Sequence, residues 1–462
     1  MGSAGLKKAR DKMVAAGVDE IAIETFAHYY RLLEHGETGM IPESSIDPVR
    51  MESLADVEVS DEAAAAAIRT TAVIKLNGGL GTSMGMDRAK SLLCVRRGLS
   101  FLDIIARQVL HLRGEYAAPL PLIFMNSFRT SGDTMAALAR YEDLPTDGLP
   151  LEFLQNKEPK LLAKDLSPAT YPKDPGLEWC PPGHGDLYTA LRGTGLLDRL
   201  IEAGYRYVFV SNSDNLGAVP DARVAGWFAS SGAPFAIEAV RRTPSDKKGG
   251  HFARRKSDGR IVLRETAQTL PKDLEALADL DRHRFCSTNN LWFDLVAMQN
   301  ELDRRDGILG LPMIRNVKHL DPGDKSTPEV IQIETAMGAA VEVFQGSQLI
   351  EVSRNRFVPV KTTNDLLVLR SDVYDIGRDF VLDQVAVEIP YVDLDAHYYK
   401  LVGDFDKRFP EGAPSMRKAQ SLKVAGDWTF GHGVQVVGEV DLDATSAQRV
   451  PADSVLSTGS DA

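Results

Sequence analysis

The stretch Val73–Ser91, VIKLNGGLGTSMGMDRAKS, decides the fold. An apolar run ends in a loop with glycine at 78, 79, 81 and 85, and a lysine follows at 90. Glycines between a strand and the next element expose backbone N–H groups with no side chain in the way, which suits a phosphate. Two common phosphate loops do not fit. A dinucleotide fold needs G-x-G-x-x-G with an acidic residue about 20 positions on, but Gly79, Gly81 and Gly85 are spaced one residue too long. A P-loop needs glycine directly before the Lys-Ser pair, but Ala89 precedes Lys90-Ser91. A plain tight turn is the bland alternative for such a cluster by itself.

Outward from this loop, apolar strands alternate with helices. The pattern predicts strands over 71–76, 119–126, 151–155, 205–215 and 233–240. Helices are expected over 99–113, 129–141 and 186–204, the last capped by Asp186. A short helix is expected at DEAAAAAIR (61–69). This alternation argues for a mostly parallel α/β sheet with helices on both faces. Residues 5–35 read as one helix, with Met13, Ile21, Ile23, Phe26, Tyr30 and Leu33 at roughly helical spacing, and 35–49 as a loop. After residue 375 the texture changes to short Val-rich strands with Gly or Asp at each bend and little helix signal, suggesting a small β module or parallel solenoid. The last residues, STGSDA, read as a frayed tail. The expected domains are an N-terminal helical segment (1–60), a catalytic domain (61–375) and a C-terminal β domain (376–462).

The chain has 462 residues, 44% hydrophobic and 26% charged, with a formal net charge of −12. That charge argues against non-specific binding to nucleic acid or anionic membrane. Positive charge for an anionic ligand must then be local. Cys94, Cys180 and Cys286 lack metal-ligand spacing and form a poor disulfide framework, so a reduced, cytoplasmic protein is expected. No apolar run is long enough to cross a bilayer, and the N-terminus has neither a signal-peptide core nor a myristoylation pattern.

LNGGLGTSMG followed by a lysine resembles the nucleotide loop of eukaryotic-type UTP–glucose-1-phosphate uridylyltransferases, also called UDP-glucose pyrophosphorylases. The match continues in order through NSFRT (126–130), PPGHGDLY (181–188), SNSDNLGA (211–218), STNNLWF (287–293), IETAMGAA (333–340) and RNRFVPVKTTNDLL (354–367). It is dense over residues 65–370 and looser elsewhere. One departure is visible: the family commonly has Gly-Pro before the loop lysine, and here Arg88-Ala89 stand there. The resemblance implies a Rossmann-like nucleotidyltransferase domain with a C-terminal left-handed β-helix-like domain. It implies transfer of UMP from UTP to glucose 1-phosphate with Mg²⁺, by in-line attack of the sugar phosphate on the α-phosphorus.

Carried onto this sequence, the family pattern assigns Leu76, Asn77, Gly78 and Gly79 to the nucleotide, their amides facing the uridine and phosphates. Lys90 and Lys361 become the phosphate-binding, catalytic lysines, and Gln155 and Gly183 nucleotide contacts, an amide side chain matching a uracil edge. His184, Asn212, Ser213, Glu265 and Asn290 join Gly78, Gly79 and Asp214 as substrate contacts, and Asp214 becomes the Mg²⁺ ligand. Galactose or N-acetylglucosamine 1-phosphate is the rival substrate, a non-catalytic sugar-nucleotide sensor the rival class, and an NAD-dependent oxidoreductase is disfavoured by the glycine spacing. A monomer or weak homo-oligomer is expected, because the chain stops soon after VPADSVL.

Overall fold

The computed structural model describes residues 4–247 and 249–457. Its centre is an eight-stranded sheet of β1 (Glu52–Ser53), β2 (Thr71–Asn77), β3 (Leu122–Asn126), β4 (Glu152–Leu154), β5 (Tyr207–Asn212), β6 (Phe235–Arg241), β7 (Phe285–Asp294) and β8 (Gln348–Glu351). The spatial order is β1-β8-β6-β7-β5-β2-β3-β4. Every pairing is parallel except the two made by β7, which runs antiparallel between β5 and β6. The sheet is therefore mixed, with the parallel half carrying the glycine loop.

Strand β2 is buried almost throughout because both its faces are covered. Side chains alternate faces along a strand, and the apolar residues divide accordingly. Val73, Phe124, Phe209 and Trp292 enter one core, while Ala72, Ile74, Ile123, Val208, Val210 and Leu291 enter the other. The first core runs on without a break to Leu422, Phe430 and Val436. A smaller cluster fastens the N-terminal helices, through Leu6, Phe26 and Tyr30, to Leu161, Ile331 and Ile333.

The C-terminal strands Tyr391–Leu394, Ser415–Ala425, Gln435–Asp443 and Val455–Ser457 lie side by side, all parallel. Trp428–Phe430 pairs in parallel with Gln448–Val450. Residue pairs such as Trp428 with Gln448 and Gln435 with Val455 stand about one short coil apart, with no crossover helix between them.

Several expectations are corrected. Residues 5–35 form two helices, Ala4–Ala15 and Glu20–Glu34, broken where Gly17 takes a φ of 67° and Asp19 caps the second. Residues 186–204 also split, into Asp186–Gly193 and Leu196–Glu202, at Gly195 with a φ of 67°. Asp186 is not the cap. Gly185 holds that position, and the Asp186 carboxylate instead accepts hydrogen bonds from Asn156 N (2.6 Å) and Nδ2 (2.9 Å). The 35–49 segment contains a short strand, Ile46–Pro48, paired with His251–Arg255. Past residue 375 two short helices occur, Ala396–Tyr399 and Val402–Arg408. The tail expected to fray lies, beyond Ser457, outside the described residues.

The Phe209 ring is fully buried and packs 4.8 Å from that of Trp292, centroid to centroid. Phe209→Ala should destabilise the protein by about 3–5 kcal/mol through lost burial and an unfilled cavity. A lowered urea midpoint, at unchanged far-ultraviolet circular dichroism before unfolding, is the expected result.

Candidate active site

The parallel pairing sets Leu76 beside Asn212 and Asn77 beside Asn126, and places Leu154 next to Asn126 on the other side. The carboxyl ends of four strands thus open on one level, where ligands bind in α/β sheets. A cleft of about 320 Å³ lies there, floored by Leu76, Asn77, Gly78 and Gly79. Gln155, Gly183 and His184 wall one side, and Lys90, Asn212, Ser213 and Asp214 the other. Eleven of the residues singled out from sequence meet in this one space.

The glycines have separate tasks. Gly81 and Gly85 hold left-handed φ values of 65° and 76° at either end of the turn Thr82–Met84. That turn folds the loop back, so that Lys90 N donates to Gly79 O at 3.0 Å. Gly78 is needed for space: a Cβ there would stand 2.8 Å from Gln155 Oε1. Gln155 Nε2 in turn donates to Gly183 O at 2.9 Å, closing an arch over the cleft. The Asn77 side chain turns away from the cleft to Asn126 and Thr134 at 2.8 and 2.9 Å, so only its backbone is available to a ligand. Ser213 likewise directs its hydroxyl, and its N–H, to Leu76 O at 2.8 and 3.0 Å, locking β5 to β2.

Lys90 Nζ sits 2.8 Å from Asp214 Oδ2 and also donates to Val360 O. Its ammonium joins three segments distant in sequence. Lys361 is the next residue along, yet it does not line the same cleft. It lines a second groove of about 550 Å³, and its N–H donates to Asp365 Oδ2 at 2.8 Å at the start of helix Thr363–Arg370. Burial pushes the Glu265 carboxyl up in pKa, and the positive charge of Lys361 works against that rise. Glu265 thus lies within reach of the Lys361 charge, though it lines neither the cleft nor the second groove. Asn290 is the clear departure. It is fully buried, donates to Glu238 Oε2 at 2.9 Å, and lines neither space. A polar pair within a strand reads alike in sequence whether it faces solvent or a buried carboxylate.

Sequence reading passed over Met125, Pro181 and Ser91, which also line the cleft. Met125 looks like ordinary strand core, while Pro181 and Ser91 stood inside recognised motifs. It also passed over Lys75, fully buried under the glycine loop, with Nζ on Ser211 Oγ (2.7 Å) and Ala218 O (2.6 Å). Burial pushes its pKa down to about 7. A lysine inside the run TAVIKLN was the available signal.

His184 Nδ1 accepts the Met337 N–H at 2.9 Å. Burial pushes the imidazole down to about 4. The ring is thus neutral at pH 7, with its proton on Nε2, ready to donate rather than to act as a charge. Between the folded value near 4 and the unfolded value of about 6.5, the unfolded chain binds the extra proton, so this group's contribution to stability falls as pH drops through that window. A histidine titration by NMR should show no protonation of His184 above about pH 5. Gly183 has a φ of 81°, and a Cβ there would meet Thr335 O at 2.5 Å. Gly183→Ala should therefore destabilise the protein by about 1–3 kcal/mol through backbone strain, read as a lowered urea midpoint.

Known proteins resemble this chain over most of its length. The family model described as UTP--glucose-1-phosphate uridylyltransferase matches residues 23–437. A probable UTP--glucose-1-phosphate uridylyltransferase of Schizosaccharomyces pombe is 37% identical over 83% of this chain and 76% of its own length. The enzyme of that name from Pyrus pyrifolia is 37% identical over 83% of this chain and 80% of its own. Among solved structures, a point mutant of UDP-glucose pyrophosphorylase from Leishmania major in complex with UDP-glucose superposes with a TM-score of 0.93. It is 41% identical and covers 99% of both chains. A Trypanosoma brucei structure described as UDP-glucose phosphorylase gives a TM-score of 0.90 at 40% identity, covering 98% of this chain and 100% of that one. With a family model over most of its length and these relatives beside it, the chain belongs to the UTP–glucose-1-phosphate uridylyltransferase family.

Proposed function

We propose that this protein makes UDP-glucose and pyrophosphate from UTP and glucose 1-phosphate. The observation that carries the reading is the convergence of Lys90, Asp214 and the chain just before Lys361 beside the cleft bounded by Gln155 and Gly183. The sugar phosphate, whose second pKa lies near 6, is already mostly ionised at neutral pH and attacks the α-phosphorus in line without a general base. The protein's work is to bring two anions together and to stabilise charge at phosphorus.

In this reading the Gly78 and Gly79 amides and Lys90 hold the UTP phosphates, and Gln155 reads the uracil edge. His184 donates its Nε2 proton to a phosphate or hydroxyl oxygen of the sugar phosphate. Lys361 reaches from the second groove across both substrates' phosphates, and Glu265 beside it meets sugar hydroxyls. The residues present suit a single divalent ion, taken as Mg²⁺: one cleft carboxylate, Asp214, with substrate phosphates and water completing the shell. No group of three or more His, Cys, Asp or Glu suited to a metal occurs among the described residues, which fits an ion that arrives with its nucleotide. When bound, the ion neutralises phosphate charge.

We further take the domains as 1–60, 61–375 and 376–462, and the parallel C-terminal strands as coils of a left-handed β-helix, a reading supported by their crossover-free stacking. No helix among the described residues is long and apolar enough to cross a membrane. A cytoplasmic monomer or weak homo-oligomer acting on small molecules fits the composition.

Pyrophosphate release from UTP and Mg²⁺ across a panel of sugar 1-phosphates tests the assignment. Strong preference for glucose 1-phosphate is expected. Lys361→Ala and Lys90→Ala should each lower turnover by about 10² or more. Preference for galactose or N-acetylglucosamine 1-phosphate would move the protein to a sister activity. No release with any sugar 1-phosphate would leave a non-catalytic sugar-nucleotide sensor.

A further inference from the structure

Asn215 is 1% exposed and does not line the cleft. It nevertheless sits where the segment carrying Asp214 meets the segment leading to Lys361. Its Oδ1 accepts Val358 N–H at 2.8 Å and Gly217 N–H at 3.2 Å, and its Nδ2 donates to Arg356 O at 3.0 Å. Asn215 also bridges Pro359 in antiparallel fashion, and Val360 N donates to Asp214 O at 3.1 Å. Gly217 lets the chains touch, since a Cβ there would stand 2.1 Å from Asn355 O. Beneath this seam Arg356 is clamped to the buried Glu238 by two 2.6 Å bonds and donates to Val219 O at 3.0 Å. Residues 355–360 are thus stitched to 214–219, and Lys361 is the first residue beyond the last stitch.

We propose that Asn215 is a positioning residue that sets Lys361 in register with Asp214 and Lys90; this rests on the uridylyltransferase reading above. Every polar atom of the Asn215 side chain is committed to this seam. The side chain ties the backbone that precedes Lys361 to the turn that presents Asp214, so both charges are placed by one amide.

The test is a double-mutant cycle on the full chain with UTP, Mg²⁺ and glucose 1-phosphate. Asn215→Ala should lower kcat about 10²-fold, the order of loss that an ångström of misplacement costs, with KM for UTP near the wild-type value. In the Lys361→Ala background the same change should lower kcat little further, because its effect runs through that lysine. Asn215→Asp keeps both accepted bonds and loses the donated one, so its turnover should lie between those of wild type and Asn215→Ala. It also serves the cycle should the alanine variant fail to melt cooperatively. Additive losses in the two backgrounds, or a raised KM at unchanged kcat, would overturn the positioning role alone. A wild-type protein that releases no pyrophosphate with any sugar 1-phosphate would overturn the parent reading and this role with it.

Discussion

A carboxylate with no access to water organises this structure. Glu238, in the middle of β6, is fully buried and takes bonds from Trp292 Nε1, Asn290 Nδ2 and both arms of the Arg356 guanidinium. Burying such a charge is costly unless its lone pairs are filled, and removing one partner typically costs about 3–5 kcal/mol. The four donors come from β7 and from the chain after β8, so satisfying one side chain fixes the antiparallel strand and the segment that leads to Lys361 together. Lys75 shares the same interior, its charge disfavoured by burial and by Arg356 and favoured by Glu238. This dry polar centre is bonded to the strands that carry the cleft, through Lys75 of β2 and Glu238 of β6.

The cleft itself is assembled from backbone more than from side chains. Gly183 is held against the Thr335 backbone at a distance no Cβ would tolerate, and a Cβ at Gly78 would push the Gln155 amide aside. Ser213 and Asn77 use their polar groups to join strands rather than to meet a ligand. What faces the opening is a set of amides, a neutral imidazole, one ammonium and one carboxylate. That inventory suits anions whose own charge does the chemical work. The PPGHG loop, which supplies His184, rests on Thr335, with Gly185 N donating to Thr335 O at 2.8 Å. The cleft wall is therefore tied to the strand Asp324–Thr335.

Much of this was legible in the amino-acid order. The apolar run ending in LNGG reads as a doubly covered strand with a ligand loop, and eleven residues drawn from ordered motifs meet in one cleft. What escaped sequence reading has physical reasons. Helical periodicity ran straight through Gly17 and Gly195, because apolar residues keep their spacing across a one-residue left-handed break. Asp186 has the composition of a cap, but its partner, Asn156, lies thirty positions away, beyond any local rule. Asn290 and Asn212 look interchangeable as polar strand residues. Only the position of β7 between β5 and β6 sends one inward to Glu238 and leaves the other at the opening.

The contact between Lys90 and Asp214 has a thermodynamic consequence. In this structure each is the other's counter-charge, 2.8 Å apart. A cation that takes Asp214 releases the ammonium, and an anion that takes Lys90 releases the carboxylate. Each ligand thereby removes an internal competitor of the other. Their affinities must rise together, by the same factor in either order of addition. Through this one contact a loop lysine and a strand-end aspartate would link the capture of a cation to the capture of an anion.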